Sequence, residues 1–226
     1  MRMLAVFEKS ERIRHIGHLD IQRSVQRGLR RSGLPVAYSN GFNPHILVTF
    51  ASALSTGACG LREIMDVTMA EEVTEEEFLT RMNRAMPPEM PLLEARRLPD
   101  KHPALMASVA AAEYDLLLRD PARAERLTGA LPALLAMEEV SAIRKTKSGM
   151  KACDIRPLIF ALRGEGAHIR ATLALTEREA CKPNMLLEAL KRTAGIPEEE
   201  EVRMLVTRLA LYGRAADGSL APLERL

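Results

Sequence analysis

The order of apolar runs and breakers predicts an α+β protein built as two tandem halves, each reading β-α-β-β-α-β with antiparallel sheets. Two observations carry this. Short apolar or alternating runs recur with helical stretches between them, and Gly or Pro marks most of the junctions. A stretch over residues 99–107 (PDKHPALMA) interrupts the pattern, which then begins again.

In the first half, residues 2–8 (RMLAVFE) read as a strand. Residues 18–32 follow as a helix, stopped by Gly33-Leu34-Pro35. Residues 34–45 are a loop rich in Gly, Pro and Asn, and 46–50 are a strand. The small residues 51–60 connect to a strand over 62–69. Thr74 with Glu77 forms a capping-box pattern, opening a helix that runs to about residue 86, before Pro87-Pro88. Residues 92–98 close the half as a strand. This split order is that of a ferredoxin-like domain, placed at 1–98, with 99–107 as linker.

The second half, 108–226, repeats the order. Residues 109–118 are a strand, and 121–137 are helical with a kink or break at Pro132. Residues 138–145 are a strand, followed by a turn at Lys147-Ser148-Gly149. Residues 155–163 and 168–175 form a hairpin around Gly164-Glu165-Gly166. A helix over 184–194 ends at Gly195, and 202–212 is the last strand. This half is a ferredoxin-like domain with one extra hairpin, so the fold class is two tandem ferredoxin-like domains.

Composition fits a folded, soluble protein: 47% apolar and 27% charged residues, with aromatics at 4% and no Trp. Cys59, Cys153 and Cys181 are odd in number and form no C-x-x-C pair, which points to a reducing compartment without disulfides. The start carries no secretory pattern, and no run of apolar residues is long enough to span a bilayer. A cytoplasmic location is expected.

Charge is distributed unevenly. Residues 1–50 hold eight Arg or Lys against three acids, 71–100 hold four against eight, and 143–156 hold five against one. Two basic regions with an acidic one between them can steer an anionic partner. On the 18–32 helix, Ile21, Val25, Gly28, Leu29 and Ser32 project to one side. Arg23, Arg27, Arg30 and Arg31 project to the other, within an arc of roughly 100°. Such a row suits bidentate phosphate contacts, but it also describes an ordinary solvated face.

The loop Tyr38-Ser39-Asn40-Gly41-Phe42-Asn43-Pro44-His45 combines aromatics, amides and an imidazole. Tyr38 or Phe42 could stack on a base while Asn40, Asn43 and His45 bond its edge. In a purely structural loop the rings would fill the core instead. His18 and Asp20 start the helix beside this loop. With His15 and His45 they make a weak metal-ligand set, and no metal is expected; Asp20 more simply meets the helix dipole. His18 and His45 could serve acid–base chemistry. No partnered nucleophile is in view, so intrinsic catalysis is not expected. In the second half, Lys147 and Lys151 flank a basic turn. Asp154 and Arg156, two residues apart, would share one side of an extended strand, as binding groups or as a structural ion pair.

The chain lacks a phosphate-binding G-x-x-x-x-G-K-[ST] loop, a dinucleotide-type Gly triad and a C-x-x-x-C-x-x-C motif. Gly17-His18-Leu19-Asp20, the Arg-rich helix and the block from Leu34-Pro35-Val36-Ala37 through Tyr38 to His45 resemble the radical SAM-linked protein family, a domain of unknown function. Ala111-Ala112-Glu113-Tyr114, Asp154-Ile155-Arg156-Pro157 and Arg208-Leu209-Ala210-Leu211-Tyr212 add to that likeness. In that family the domain is fused behind a radical SAM domain or encoded beside one, and this chain resembles the separate form. The family commonly carries an aromatic after Arg-Pro, where this chain has Leu158.

The resemblance implies a radical SAM protein as partner, with S-adenosylmethionine and an iron–sulfur cluster held by that partner and no cofactor in this chain. Gene neighbours in the family include ribosomal proteins and an RNA-processing ribonuclease. The expected function is an accessory protein that binds RNA (tRNA or rRNA) or a ribosomal component for the radical SAM enzyme. The alternatives are a metal-independent endoribonuclease using His18 and His45, and a pure protein-interaction subunit of the same partner.

Overall fold

Local sequence signals set most of the elements of this chain, in a computed structural model that describes residues 1–99, 101–146 and 149–226. Lys147, one of the predicted basic contacts, and Asp100 in the interrupting stretch lie outside the described residues. In chain order the elements are β1 (Arg2–Lys9), α1 (His18–Ser32), β2 (Val48–Phe50), β3 (Cys59–Thr68), α2 (Glu75–Ala85) and β4 (Leu92–Leu98). Next come α3 (Leu105–Ser108), β5 (Ala111–Leu118), α4 (Pro121–Gly129), α5 (Leu131–Ala136), β6 (Ser141–Thr146) and β7 (Gly149–Asp154). The chain ends with β8 (Ile159–Glu165), β9 (His168–Ala174), α6 (Pro183–Thr193), β10 (Met204–Arg214) and β11 (Leu220–Pro222).

The structure is thus a mixture of helices and strands, and the ladders β1–β3, β1–β4, β2–β3, β5–β9, β8–β9, β6–β7 and β10–β11 are antiparallel. Two compact units are formed, one by Met1–Val109 with Ala210–Leu226 and the other by Ala110–Leu209. Among the described residues no helix is long and apolar enough to cross a membrane.

In the first unit β4, β1 and β3 are neighbours in that order, and β2 pairs with β3. Met3, Ala5 and Phe7 of β1 share one core with Ile21, Val25 and Leu29 of α1 and with Phe78 and Met82 of α2. The apolar side predicted for α1 is the buried one: Ile21, Val25, Gly28 and Leu29. Gly28 lets α2 come close, because a Cβ there would run into the Met86 sulfur. Arg31 Nη2 donates to the Ala85 carbonyl at 2.6 Å and Arg81 Nε to the Ser32 carbonyl at 3.0 Å, tying the two helix ends. Gly33, at φ 65°, ends α1 in the left-handed conformation that costs glycine least. The Thr74 hydroxyl accepts from the Glu77 amide at 3.1 Å, which is the forward half of the predicted capping box.

Boundaries differ where local composition misleads. β3 begins at Cys59, inside the run of small residues read as a connection, because Gly60 still pairs with Lys9. Within the interrupting stretch, Leu105 opens the short α3 and is 1% exposed. Residues 220–222 form a strand that was not predicted, pairing Leu220 with Arg214 and Pro222 with Tyr212 across a turn containing Gly218 at φ 84°.

In the second unit the strand order is β10-β5-β9-β8. The predicted helix 121–137 divides into α4 and α5, with Pro132 in the first turn of α5, where its missing N–H goes unused. The strand predicted at 138–145 is present as β6, and among the described residues it pairs with β7 in a two-stranded sheet. The predicted strand over 155–163 is corrected at its start: it begins at Ile159, after a 3-10 turn over Arg156–Leu158. Asp154 and Arg156 accordingly do not share an extended strand.

Candidate functional site

The 38–45 loop leaves the sheet and returns to it as a small closed hairpin. Tyr38 and Ile46 form a bridge, and the Leu47 amide donates to the Ala37 carbonyl at 2.9 Å. Inside that bridge, the Ser39 amide donates to the His45 carbonyl at 2.8 Å. The His45 amide donates to Ser39 Oγ at 3.1 Å, and the same hydroxyl lies 2.8 Å from His45 Nδ1. Gly41 takes φ 117° at the tip. Ile46 below the loop is 1% exposed and anchors it in the core. The aromatics do not fill the core: Tyr38 is 47% exposed and Phe42 is 112% exposed. Asn40, Asn43 and His45 are exposed as well. The loop presents a ring, two amides and an imidazole to solvent on a backbone held at its base.

All four arginines of α1 are exposed. Arg23 pairs with Asp20 at 2.8 Å and Arg31 is bonded to α2, so those two are partly committed. Among the described residues, Arg27 and Arg30 make no ion pair or hydrogen bond. Asp20 sits in the first turn of α1 behind Gly17, which caps through its backbone alone.

His18 has different surroundings from His45. Its ring meets Phe50 edge-on, with centroids 5.2 Å apart, and Phe50 in turn meets Phe7 at 5.8 Å. It lines a small pocket of about 10 Å³, room for little more than one water, together with Lys9, Ser52 and Glu63. Lys9 and Glu63 are 2% and 4% exposed, and Lys9 Nζ donates to the Arg14 carbonyl at 2.9 Å. Burying an ammonium and a carboxylate costs several kcal/mol per ion unless they are compensated. Such a set can hold a polar group or a water beside the imidazole. The sequence reading missed Lys9 and Glu63. Lys9 sits at the end of an apolar run and Glu63 in an alternating one, and nothing local marks either as buried. Among the described residues, no group of three or more His, Cys, Asp or Glu is placed to hold a metal ion.

In the second unit the predicted residues separate by role. Lys151 is exposed on β7. Asp154 accepts from the amides of Val140 and Arg156, both at 2.8 Å. Arg156 donates through Nε and Nη2 to the Leu135 carbonyl at 3.2 and 2.9 Å. These hydrogen bonds of Asp154 and of the Arg156 guanidinium hold backbone together. Leu158, the residue after Arg156-Pro157, is 8% exposed and belongs to the core.

Comparison with known proteins adds one match. The model of a family described as an uncharacterized protein conserved in bacteria (DUF2344) covers residues 2–183. That description carries no mention of radical SAM chemistry. No curated protein matches the chain.

Proposed function

The chain belongs to the DUF2344 family of proteins conserved in bacteria, and on that premise we propose that it is an accessory protein that binds RNA or a ribosomal component for a radical SAM enzyme. The observation that carries the RNA half is the pair Arg27 and Arg30, exposed on one side of α1 and uncommitted among the described residues. Guanidinium groups held on a rigid helix match phosphate geometry. The radical SAM half rests on the resemblance of the 17–20 and 34–45 blocks. In this reading the partner holds S-adenosylmethionine and the iron–sulfur cluster, and this chain works in the cytoplasm as a binding protein without a reaction of its own.

The fold reading belongs to the same proposal. The neighbour order β4-β1-β3-β2 in the first unit and β10-β5-β9-β8 in the second is what a split β-α-β-β-α-β plan requires. Both units are read as ferredoxin-like, the second with β6–β7 inserted.

The test is binding of the purified chain to total tRNA and rRNA across salt. Affinity should fall roughly 20- to 40-fold between about 50 and about 200 mM salt if around three phosphates are neutralised. Arg27→Glu with Arg30→Glu should remove most of the binding. Absence of binding at low salt overturns the reading.

A further inference from the structure

We propose that the 38–45 loop is a receptor for a single unpaired nucleotide, whose base stacks on Phe42 and whose edge is met by His45. This rests on the RNA reading above and narrows it to single strands, loops or ends rather than duplex.

Phe42 is 112% exposed, in a chain whose other four phenylalanines (Phe7, Phe50, Phe78 and Phe160) are no more than 42% exposed. Leaving a ring of that size in water forgoes about 2 kcal/mol of burial, so its display has a standing cost. The display is not a consequence of slack chain, because bonds at Ser39, His45 and Leu47 close the loop below the ring. The ring stands open to stacking on a loop whose base is closed. Bases in a duplex already stack on one another; only an unpaired base has a free face to offer.

The imidazole is prepared in the same way. Ser39 Oγ accepts the His45 amide proton and lies 2.8 Å from Nδ1, so the hydroxyl that closes the loop also orients the ring. Nε2, on the other side of this exposed ring, is left available to a ligand. An imidazole nitrogen in the same loop as a stacking ring can bond a donor or an acceptor on a base edge. The loop holds no Lys or Arg, so its contribution is stacking and hydrogen bonding rather than charge. A docking surface for an apolar protein would surround Phe42 with further apolar side chains. Here its chain neighbours are Gly41 and Asn43, with Asn40 next, and, besides His45, the loop's other exposed rings are Tyr38 and Pro44.

The experiment measures binding of the full chain to a short mixed-sequence single-stranded RNA and to the same strand in a blunt duplex, across salt. The single strand should bind at least tenfold tighter. Phe42→Ala should weaken it between roughly fivefold and a hundredfold, the range for losing one stacked base, with the salt slope unchanged. Phe42→Trp should restore binding. Arg27→Ala should instead lower the salt slope by about one. Equal binding of both RNAs, or an unaffected Phe42→Ala variant with salt-dependent binding intact, overturns this inference and leaves the broader RNA reading standing. Binding to neither RNA by the wild-type chain removes both. A Phe42→Ala variant that keeps RNA and loses a co-purifying protein would make the loop a protein contact and overturn the inference.

Discussion

Ser39 and His45 are joined three times across the turn they enclose: amide to carbonyl at 2.8 Å, amide to hydroxyl at 3.1 Å, and hydroxyl to imidazole Nδ1 at 2.8 Å. One small side chain therefore fixes both the backbone of the loop and the orientation of its histidine. Ser39→Ala removes two of the three bonds. Each is worth about 1 kcal/mol, so amide exchange across residues 39–45 should quicken roughly five- to tenfold or more. The melting temperature should hardly move, because the loop is exposed. Unchanged exchange would show that the Tyr38–Ile46 bridge alone holds the loop.

Arg62 ties three distant stretches of the first unit. Its guanidinium donates to Glu94 at 2.6 Å and to Glu224 at 2.8 Å, and Arg225 approaches Glu94 at 3.3 Å. The hydrogen bond from Arg62 holds the Glu94 carboxyl below its ordinary value near 4.5. A carboxylate shifted in this direction adds stability above that ordinary value and loses it as pH falls through its own lower one. Glu94→Gln should therefore flatten the acid side of the stability profile below about pH 4.5, by no more than about 1 kcal/mol since the pair is partly exposed. Arg62→Ala should cost about 2 kcal/mol at neutral pH, because it leaves Glu224, 5% exposed, without that partner. Urea denaturation at neutral and acid pH checks both.

Asp154 and Arg156 hydrogen-bond to backbone, so their substitution tests a structural role against a binding one. Asp154 caps the amides of Val140 and Arg156, so Asp154→Ala should lower stability by about 2 kcal/mol. RNA affinity should stay within about twofold of wild type once folded protein is compared. A large loss of affinity with unchanged melting would assign Asp154 to a ligand instead.

Cys181 should be inert. Burial pushes its thiol up to about 12, with the nearby Cys153 adding to the rise and Arg144 opposing it. Almost no thiolate forms at neutral pH. Cys59, also buried, should be protected by burial alone. Iodoacetamide on the native chain, followed by intact-mass analysis, should label at most Cys153, the half-buried one. Rapid labelling of all three would show that these cores open readily.

What the sequence by itself determined is what depends on neighbours along the chain. The 3.6-residue spacing separates Val25 and Leu29 from Arg27 and Arg30, so both sides of α1 are legible before any fold is known. Thr74 with Glu77, and Pro132, mark a helix start and a helix break by local bonding alone. Tertiary structure decided what depends on distant partners. Nothing local separates a strand that joins a large sheet from one that, like β6 among the described residues, pairs with its hairpin mate. Lys9 and Glu63 carry charges that belong in water by residue type, and only packing places them in the pocket beside His18. Phe42 is the reverse case. An aromatic residue is expected to be buried, and which side of a turn it occupies is set by where the turn is anchored. With Ile46 in the core and Ser39 bonded to His45, the ring is left in solvent.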